Sequence, residues 1–393
     1  MKTPITAPAE KGMLPRKKYL VTFGYFLSFI GLGLVCASLG PTLPGLAAQT
    51  NSKIQQISFL FTARSFGYLA GSFIGGRLYD RFSGRIILVL TILLMGSFMA
   101  LVPLTGSLIL LLFIFGFVGA NQGMLDVGGN TLIVWLHGSK VGPFMNGLHF
   151  SFGIGAFLSP IIIAQVITIE GAGPAYWILA SLLIIPVLWF IPLPQPHPAH
   201  NISTTNNHQK NPRFLYFLML FFFVYPAFES GFGGWIFTYT IAMKLGDPAA
   251  AAYLTSIFWG TLTFGRFLAI LLAIRFQPRT ILTANLIGIF LGLATILLWP
   301  YSKTALWIGT AIFGTSIASI FPMNLAWAEQ NMTISGRVNG LFFMSASAGG
   351  MLFPVIFGQL FAYTGPQAIM MAIFIDTILA AGIFGGLILN SKK

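Results

Sequence analysis

GRLYDRFSGR, residues 76–85, is a charged island between two long apolar runs. It holds Arg77, Asp80, Arg81 and Arg85 in a chain whose residues are only 7% charged. Clustered charges cost least where they stay in water, so this segment belongs at a membrane surface between two spanning helices. The flanking runs, 55–79 and 86–104, are each long enough to cross a hydrocarbon core of roughly 30 Å at about 1.5 Å per residue. One loop therefore already points to a polytopic membrane protein.

The rest of the chain repeats that reading. It has 393 residues, 56% of them hydrophobic, and a mean hydropathy of +0.84. Soluble domains are about a quarter charged, and no single soluble core would hide this much apolar surface. The predicted spans are 19–46, 55–79, 86–104, 108–136, 144–168, 174–194, 214–243, 249–274, 280–299, 304–329, 338–363 and 367–389. The net charge of +13 would suit nucleic acid, but the basic residues fall at the ends of apolar runs and no nucleic-acid module is present. The expected partner is the lipid bilayer. The single cysteine, Cys36, excludes an intrachain disulfide and a cysteine metal cluster. The basic N-terminal stretch ahead of Tyr19 superficially resembles a secretory signal. Its apolar run is too long for one and reads as a retained first span.

Twelve spans put both ends of the chain on one face. That face collects Arg16, Lys17, Lys18, Arg77, Arg81, Arg85, Lys140, Lys210, Arg213, Arg275, Arg279 and Arg337, against Lys53, Lys244 and Lys303 opposite. The bias predicts a cytoplasmic basic face, in a multi-pass protein of a bacterial inner membrane. PLPQPHPAHNISTTNNHQKNP, residues 192–212, is the one long polar stretch and cannot bury enough apolar surface to fold. The predicted organisation is an N-terminal six-helix bundle over 1–194, a cytoplasmic linker over 195–213 and a C-terminal six-helix bundle over 214–393. The halves repeat: MNGLHFSFGIGAFLSPIIIAQ (145–165) parallels VNGLFFMSASAGGMLFPVIFGQ (338–359). Asn339 and Phe343 follow Asn146 and Phe150 at one constant offset, and Pro354 and Gln359 follow Pro160 and Gln165 at one residue more. Duplicated bundles place a transport site between the halves.

Ionisable groups inside a membrane are expensive, so those that remain there are functional candidates. Three acids fall within spans: Asp126, Glu229 and Asp376. Two bases do so as well: Arg64 and Arg266. Gln122, Asp126 and Asn130 recur every four residues on one helix face, a carboxylate between two amides suited to a hydroxyl-rich ligand. The competing expectation for Asp126 is an ion pair with Arg64. His149, with Asn146 one turn before it, titrates in the range of proton transfer or packs against a neighbour. Glu229 lies in YPAFESGFGGW (225–235), where Pro226 and three glycines weaken the helix, and Trp235 and Tyr239 add aromatic faces for a sugar. Asn324, Trp259, Trp327, Gln165 and Gln359 are further polar or aromatic lining candidates. Arg64, Arg266 and Asp376 are expected as buried charge partners.

The opening loop resembles the signature loop between helices 2 and 3 of the major facilitator superfamily, through Gly76, Asp80, Arg81, Gly84 and Arg85, with one extra residue before the second glycine. GMLDVGGN (123–130) and NGLHFSFGIGAFLSP (146–160) resemble the fucose permease group, and the Leu148-His149-Phe150 run, the Glu229 region and GQLFAYTGP (358–366) resemble its branch of sodium-dependent glucose transporters. The resemblance implies the all-α fold of that superfamily, two pseudo-symmetric six-helix bundles, with alternating access. It implies proton coupling at Asp126. The family's acid in span 1 has no match, since residues 31–44 offer only Ser38 and Thr42 as polar side chains, so the coupling ion stays open between H+ and Na+. It implies a gate in which Asp80, with Arg81 and Arg85, meets the start of span 11 at Arg337–Asn339. RFQPR (275–279), the second-half counterpart, lacks the aspartate.

The expected protein is a secondary active transporter, a monomer moving a hexose-like sugar with a cation. Asp126, Glu229 and His149 would couple the cation. Gln122, Asn130, Asn146, His149, Trp235, Tyr239 and Asn324 would bind sugar. No metal cofactor is expected beyond a coupling Na+. A proton-coupled exporter of drugs or other metabolites is the alternative, but the isoleucines after Pro160 do not match the Gly-Pro-x-x-Gly-Gly element of drug antiporters. A receptor or scaffold would need a sensory domain for which no loop is long enough, and no nucleophile–base pair marks an enzyme.

Overall fold

A computed structural model describes residues 15–193, 211–332 and 336–391. Among the described residues it is helical throughout and carries twelve helices long and apolar enough to span a membrane. These are Arg16–Cys36, Ile54–Arg81, Gly84–Leu104, Leu108–His137, Gly142–Thr168, Gly173–Phe190, Pro212–Ala242, Pro248–Arg275, Pro278–Leu298, Lys303–Asn331, Gly340–Thr364 and Gln367–Asn390, numbered spans 1 to 12. The predicted linker falls largely at residues 194–210, outside the described residues. Pro212 already begins the helix of span 7.

Spans 1–6 pack chiefly with one another, as do spans 7–12. Within the first group the closest pairing is between spans 2 and 4. Gly67 and Gly71 on span 2 lie against the carbonyls of Gly116 and Ala120, and Gly119 and Gly123 on span 4 lie against those of Arg64 and Tyr68. With lipid outside, no hydrophobic drive brings helices together, and small residues at four-residue spacing let backbones meet instead.

The two groups meet chiefly through spans 5 and 8 and through spans 2 and 11, with spans 1 and 7 also touching. The two chief pairings exchange under a shift of six spans, so the repeat read between 145–165 and 338–359 carries equivalent interfaces in three dimensions. Both repeats keep their proline inside the helix, Pro160 and Pro354.

Five spans are interrupted: spans 2 and 6 each turn at a single residue, Ser58 and Leu183, and spans 1, 7 and 10 depart further from a regular helix. Span 1 runs as Pro15–Cys36, turns at residues 37 and 38, and resumes as Leu39–Gln49. Pro41 explains the turn: its ring nitrogen has no hydrogen to give the Ala37 carbonyl and crowds it. Span 7 passes through a π-helical turn, Ala227–Phe232, directly after Pro226. Span 10 breaks between Ile317 and Ile320. The predicted weakness around Glu229 is thus present, while the breaks in spans 1 and 10 were not foreseen. Span ends are capped by side chains that the sequence places in loops. Asp247 accepts the Ala250 N–H at 2.7 Å, and Asn211 accepts that of Phe214 at 3.1 Å; such a cap contributes about 1 kcal/mol.

A central charged site between the two bundles

The sequence puts Asp126 on span 4 and the glycine contacts bring span 2 against it. As a result Tyr68 donates its hydroxyl hydrogen to Asp126 Oδ2. Asn130, one turn on, donates from Nδ2 to Asp126 Oδ1 at 2.9 Å and to its carbonyl at 2.8 Å. Both carboxylate oxygens therefore accept hydrogen bonds, the pattern that suits an ionised acid. Gln122 is on the same helix but buried, at 4% exposure.

Across the bundle junction, the π-helical turn carries Glu229. Tyr225, four residues earlier, donates to Glu229 Oε2, and Arg266 of span 8 lies 3.8 Å from Oε1. The Arg266 guanidinium also sits 5.9 Å from the centre of the Phe152 ring on span 5. The two bundles thus each present one acid held by one tyrosine. Tyr68 and Tyr225 escaped the sequence reading, although Tyr225 lies one helical turn from Glu229 and that spacing was legible.

Arg64 is placed differently from the expectation. The alternative for Asp126 was an ion pair with Arg64; instead Arg64 Nη1 donates to the Cys36 carbonyl at 2.8 Å, at the broken end of span 1. Arg266–Glu229 is the one ion pair among the described residues. Arg64, Glu229, Asp126 and Arg266 nevertheless all lie within electrostatic reach of Cys36, so four of the five charged groups inside the spans gather in one region. His149 joins it, within electrostatic reach of Asp126 and Arg266, its ring edge-on to Phe29 at 6.1 Å. His149 and Asn146 are both exposed.

Other candidates are not brought to this cluster. Trp235 is fully buried, with ring contacts to Phe61 and Phe361. Tyr239 is buried farther along the same helix. Asn324 is buried in span 10 and donates to the Ile320 carbonyl at 2.8 Å. Asp376 is buried on the face of span 12 that packs into the second bundle, and neither of its oxygens has a hydrogen-bond partner. Gln165 donates to the Tyr253 hydroxyl at 2.5 Å across the bundle junction. In the loop at residues 76–85, Asp80 and Arg81 are exposed, and Arg85 donates to the Leu193 carbonyl just past span 6. The side chains of Arg337 and Asn339, the expected gate partners, lie outside the described residues.

The bundles touch unevenly along their length. Away from the basic face, the carbonyls of Gly233 and Gly234 sit against Gly40, Thr62 donates to the Met351 carbonyl at 2.7 Å and Ser65 to that of Gly350 at 3.2 Å. On span 5, Gly153 and Phe157 face Thr263 and Gly260 of span 8. The same face continues toward the basic end as His149 and Asn146, which are exposed. The junction is therefore closed at the far end and parted toward the basic face, with the charge cluster where the two regimes meet.

Two helical bundles with a charge cluster at their junction are the architecture of a secondary transporter, and a model described as Major Facilitator Superfamily matches residues 21–354. The chain belongs to the major facilitator superfamily, and it is a transporter by family and fold, not an enzyme. It is 30% identical to sodium-dependent glucose transporter 1A of Mus musculus, over 85% of this chain and 88% of that one. It is 32% identical to sodium-dependent glucose transporter 1 of Homo sapiens, over 85% of this chain and 72% of that one. Among solved structures, a mutant of the nucleoside transporter NupG matches with a TM-score of 0.78 at 14% identity, over 94% of this chain and 99% of that one. A bacterial homolog of the human lysosomal transporter Spinster, inward-facing and occupied, matches with a TM-score of 0.75 at 14% identity, over 96% and 97%. At those identities the solved structures show the fold alone.

Proposed function

We propose that this protein imports a hexose-like sugar together with a cation, H+ or Na+, by alternating access, as a monomer with its basic face in the cytoplasm. The observation that carries the reading is the pairing of Asp126, held by Tyr68 and Asn130, with Glu229, held by Tyr225 and Arg266, on opposite sides of the bundle junction. Membrane-buried acids facing a parted junction are where a coupling ion gains most from binding. The relatives named as sodium-dependent glucose transporters favour a sugar and Na+.

In this mechanism Asp126, with His149 beside it, takes the cation, and Asn130 and Asn146 orient sugar hydroxyls. Gln122, Trp235, Tyr239 and Asn324 support the path from behind it. Bound cation and sugar must together favour the closed junction, because a ligand shifts conformations only through its differential affinity. Asp80, Arg81 and Arg85 close the basic end against the start of span 11.

The test is uptake into proteoliposomes from a panel of labelled sugars, with an imposed Na+ gradient in one arm and an imposed proton gradient in the other. Gradient-driven accumulation of a hexose supports the proposal, and the arm that drives it identifies the ion. Proton release on adding a drug panel, with no sugar uptake in either arm, would reject it in favour of an exporter.

A further inference from the structure

The interruptions of spans 1 and 7, with spans 2 and 8, line a small, partly open cavity of about 30 Å³ at the closed end of the junction. Its lining includes Cys36, Arg64, Glu229, Ser230 and Trp259. A cavity needs roughly 10–15 Å³ to hold one water, so this one takes about two waters or a single carboxylate group, and is far too small for a sugar ring.

Its hydrogen-bonding capacity is lopsided. Arg64 spends one guanidinium hydrogen on the Cys36 carbonyl, and a guanidinium has five. Trp259 is 5% exposed, and its indole N–H has no hydrogen-bond partner. A buried, unpaired donor costs free energy unless something accepts from it. The one carboxylate in the lining, Glu229, is already engaged by Tyr225 and Arg266. The cavity thus offers spare donors and a cation, and its only anion is neutralised. It suits an acceptor of negative charge and disfavours a metal ion.

The charge count across the cluster agrees. Arg64 and Arg266 balance Asp126 and Glu229 when both acids are ionised. A coupling cation then leaves one positive charge in excess at the membrane centre, and a ligand carrying one negative charge restores neutrality before the junction moves.

We infer that the cavity is a carboxylate subsite, in which Arg64 and Trp259 grip the acid group of the substrate, so that the transported sugar is a sugar acid such as a hexuronate. The inference rests on the cation-coupled sugar reading and narrows its substrate class. Arg64 binds substrate directly in this scheme, and Trp259 supplies the second donor.

Two measurements test it. In proteoliposomes, glucuronate should be taken up with an apparent KM at least about tenfold lower than glucose. Arg64→Gln should raise the glucuronate KM about tenfold or more relative to the glucose KM of the same variant, with Trp259→Phe intermediate. Arg64→Lys, which keeps the charge and loses the fork, should recover part of the preference. Equal losses for both sugars in Arg64→Gln, reversed by Arg64→Lys, would make Arg64 a balancing charge and overturn the inference. Preference for glucose in the wild type would also overturn it. The second measurement is independent of sugar transport: thermal stabilisation of detergent-purified protein by glucuronate, by lactate and by chloride. Stabilisation by both carboxylates that is lost in Arg64→Gln supports the subsite even if no sugar is accumulated. Stabilisation by chloride alone assigns the cavity to a free anion and overturns the substrate assignment.

Discussion

Asp126 shows what single residues contribute. The four-residue spacing of Gln122, Asp126 and Asn130 was readable without coordinates, and the Asn130–Asp126 bonds follow from it. The Tyr68 partner was not readable, because it comes from another span and depends on how closely that span approaches. Replacing Asp126 with Asn should abolish gradient-driven accumulation and leave counterflow exchange measurable, since exchange does not require net ion release. Accumulation at the wild-type level would show the carboxylate to be structural. Tyr68→Phe removes one hydrogen bond to a charged group, worth about 1.5–3 kcal/mol. Because that bond favours the cation-free carboxylate, the apparent cation KM should fall by roughly ten- to a hundredfold, read from uptake at varied cation concentration. Asp376 makes the contrast. It is buried with no hydrogen-bond partner, and Asp376→Asn should leave accumulation unchanged and the thermal midpoint equal or higher. Lost accumulation would move Asp376 into the coupling machinery.

At the scale of elements, span geometry decides which of these residues meet. Hydropathy placed all twelve spans, because crossing a bilayer demands a long apolar run whatever the neighbours do. It did not place the break in span 1, where the helix turns at residues 37 and 38 and the Cys36 carbonyl accepts from Arg64. Nor did it show that the glycines of spans 2 and 4 face each other. Gly119 lies against the Arg64 carbonyl, so Gly119→Val should separate the spans, weaken the Tyr68–Asp126 contact and destabilise the protein by at least about 1–3 kcal/mol. A lowered thermal midpoint together with reduced uptake is the expected result. An unaltered midpoint would mean the spans can part at no cost. The Arg266–Glu229 pair joins spans 7 and 8 and is half-buried; breaking one side leaves a partly desolvated charge unpaired, whereas removing both is milder. Glu229→Gln should therefore destabilise more than the Glu229→Gln/Arg266→Gln double variant, measured by thermal unfolding in detergent.

For the whole molecule, the uneven junction is the central fact. Hydrogen bonds from Thr62 and Ser65 to span 11 close the far end, while His149 and Asn146 stand exposed on the continuing face of span 5. Alternating access requires those far contacts to break. With Cys36 replaced by Ser, cysteines at positions 65 and 350 should cross-link under oxidation and stop uptake, and reduction should restore it. Full uptake with the cross-link in place would mean that this closure is not part of the cycle.

The sequence by itself determined the membrane class, the number of spans, the duplicated halves and the acids worth watching. All of these follow from local hydropathy, charge placement and helical spacing, which need no neighbour to define them. Only the tertiary structure decided which partner each buried charge takes. Arg64 turned away from Asp126 to the broken end of span 1, Arg266 crossed to Glu229, and Trp235 was sealed in the closed interface. Those outcomes depend on interhelical approach to within an ångström, and backbone contact at glycines sets that approach in three dimensions. The charged loop at residues 76–85 announced a membrane, but the residues that meet between the bundles define the candidate site.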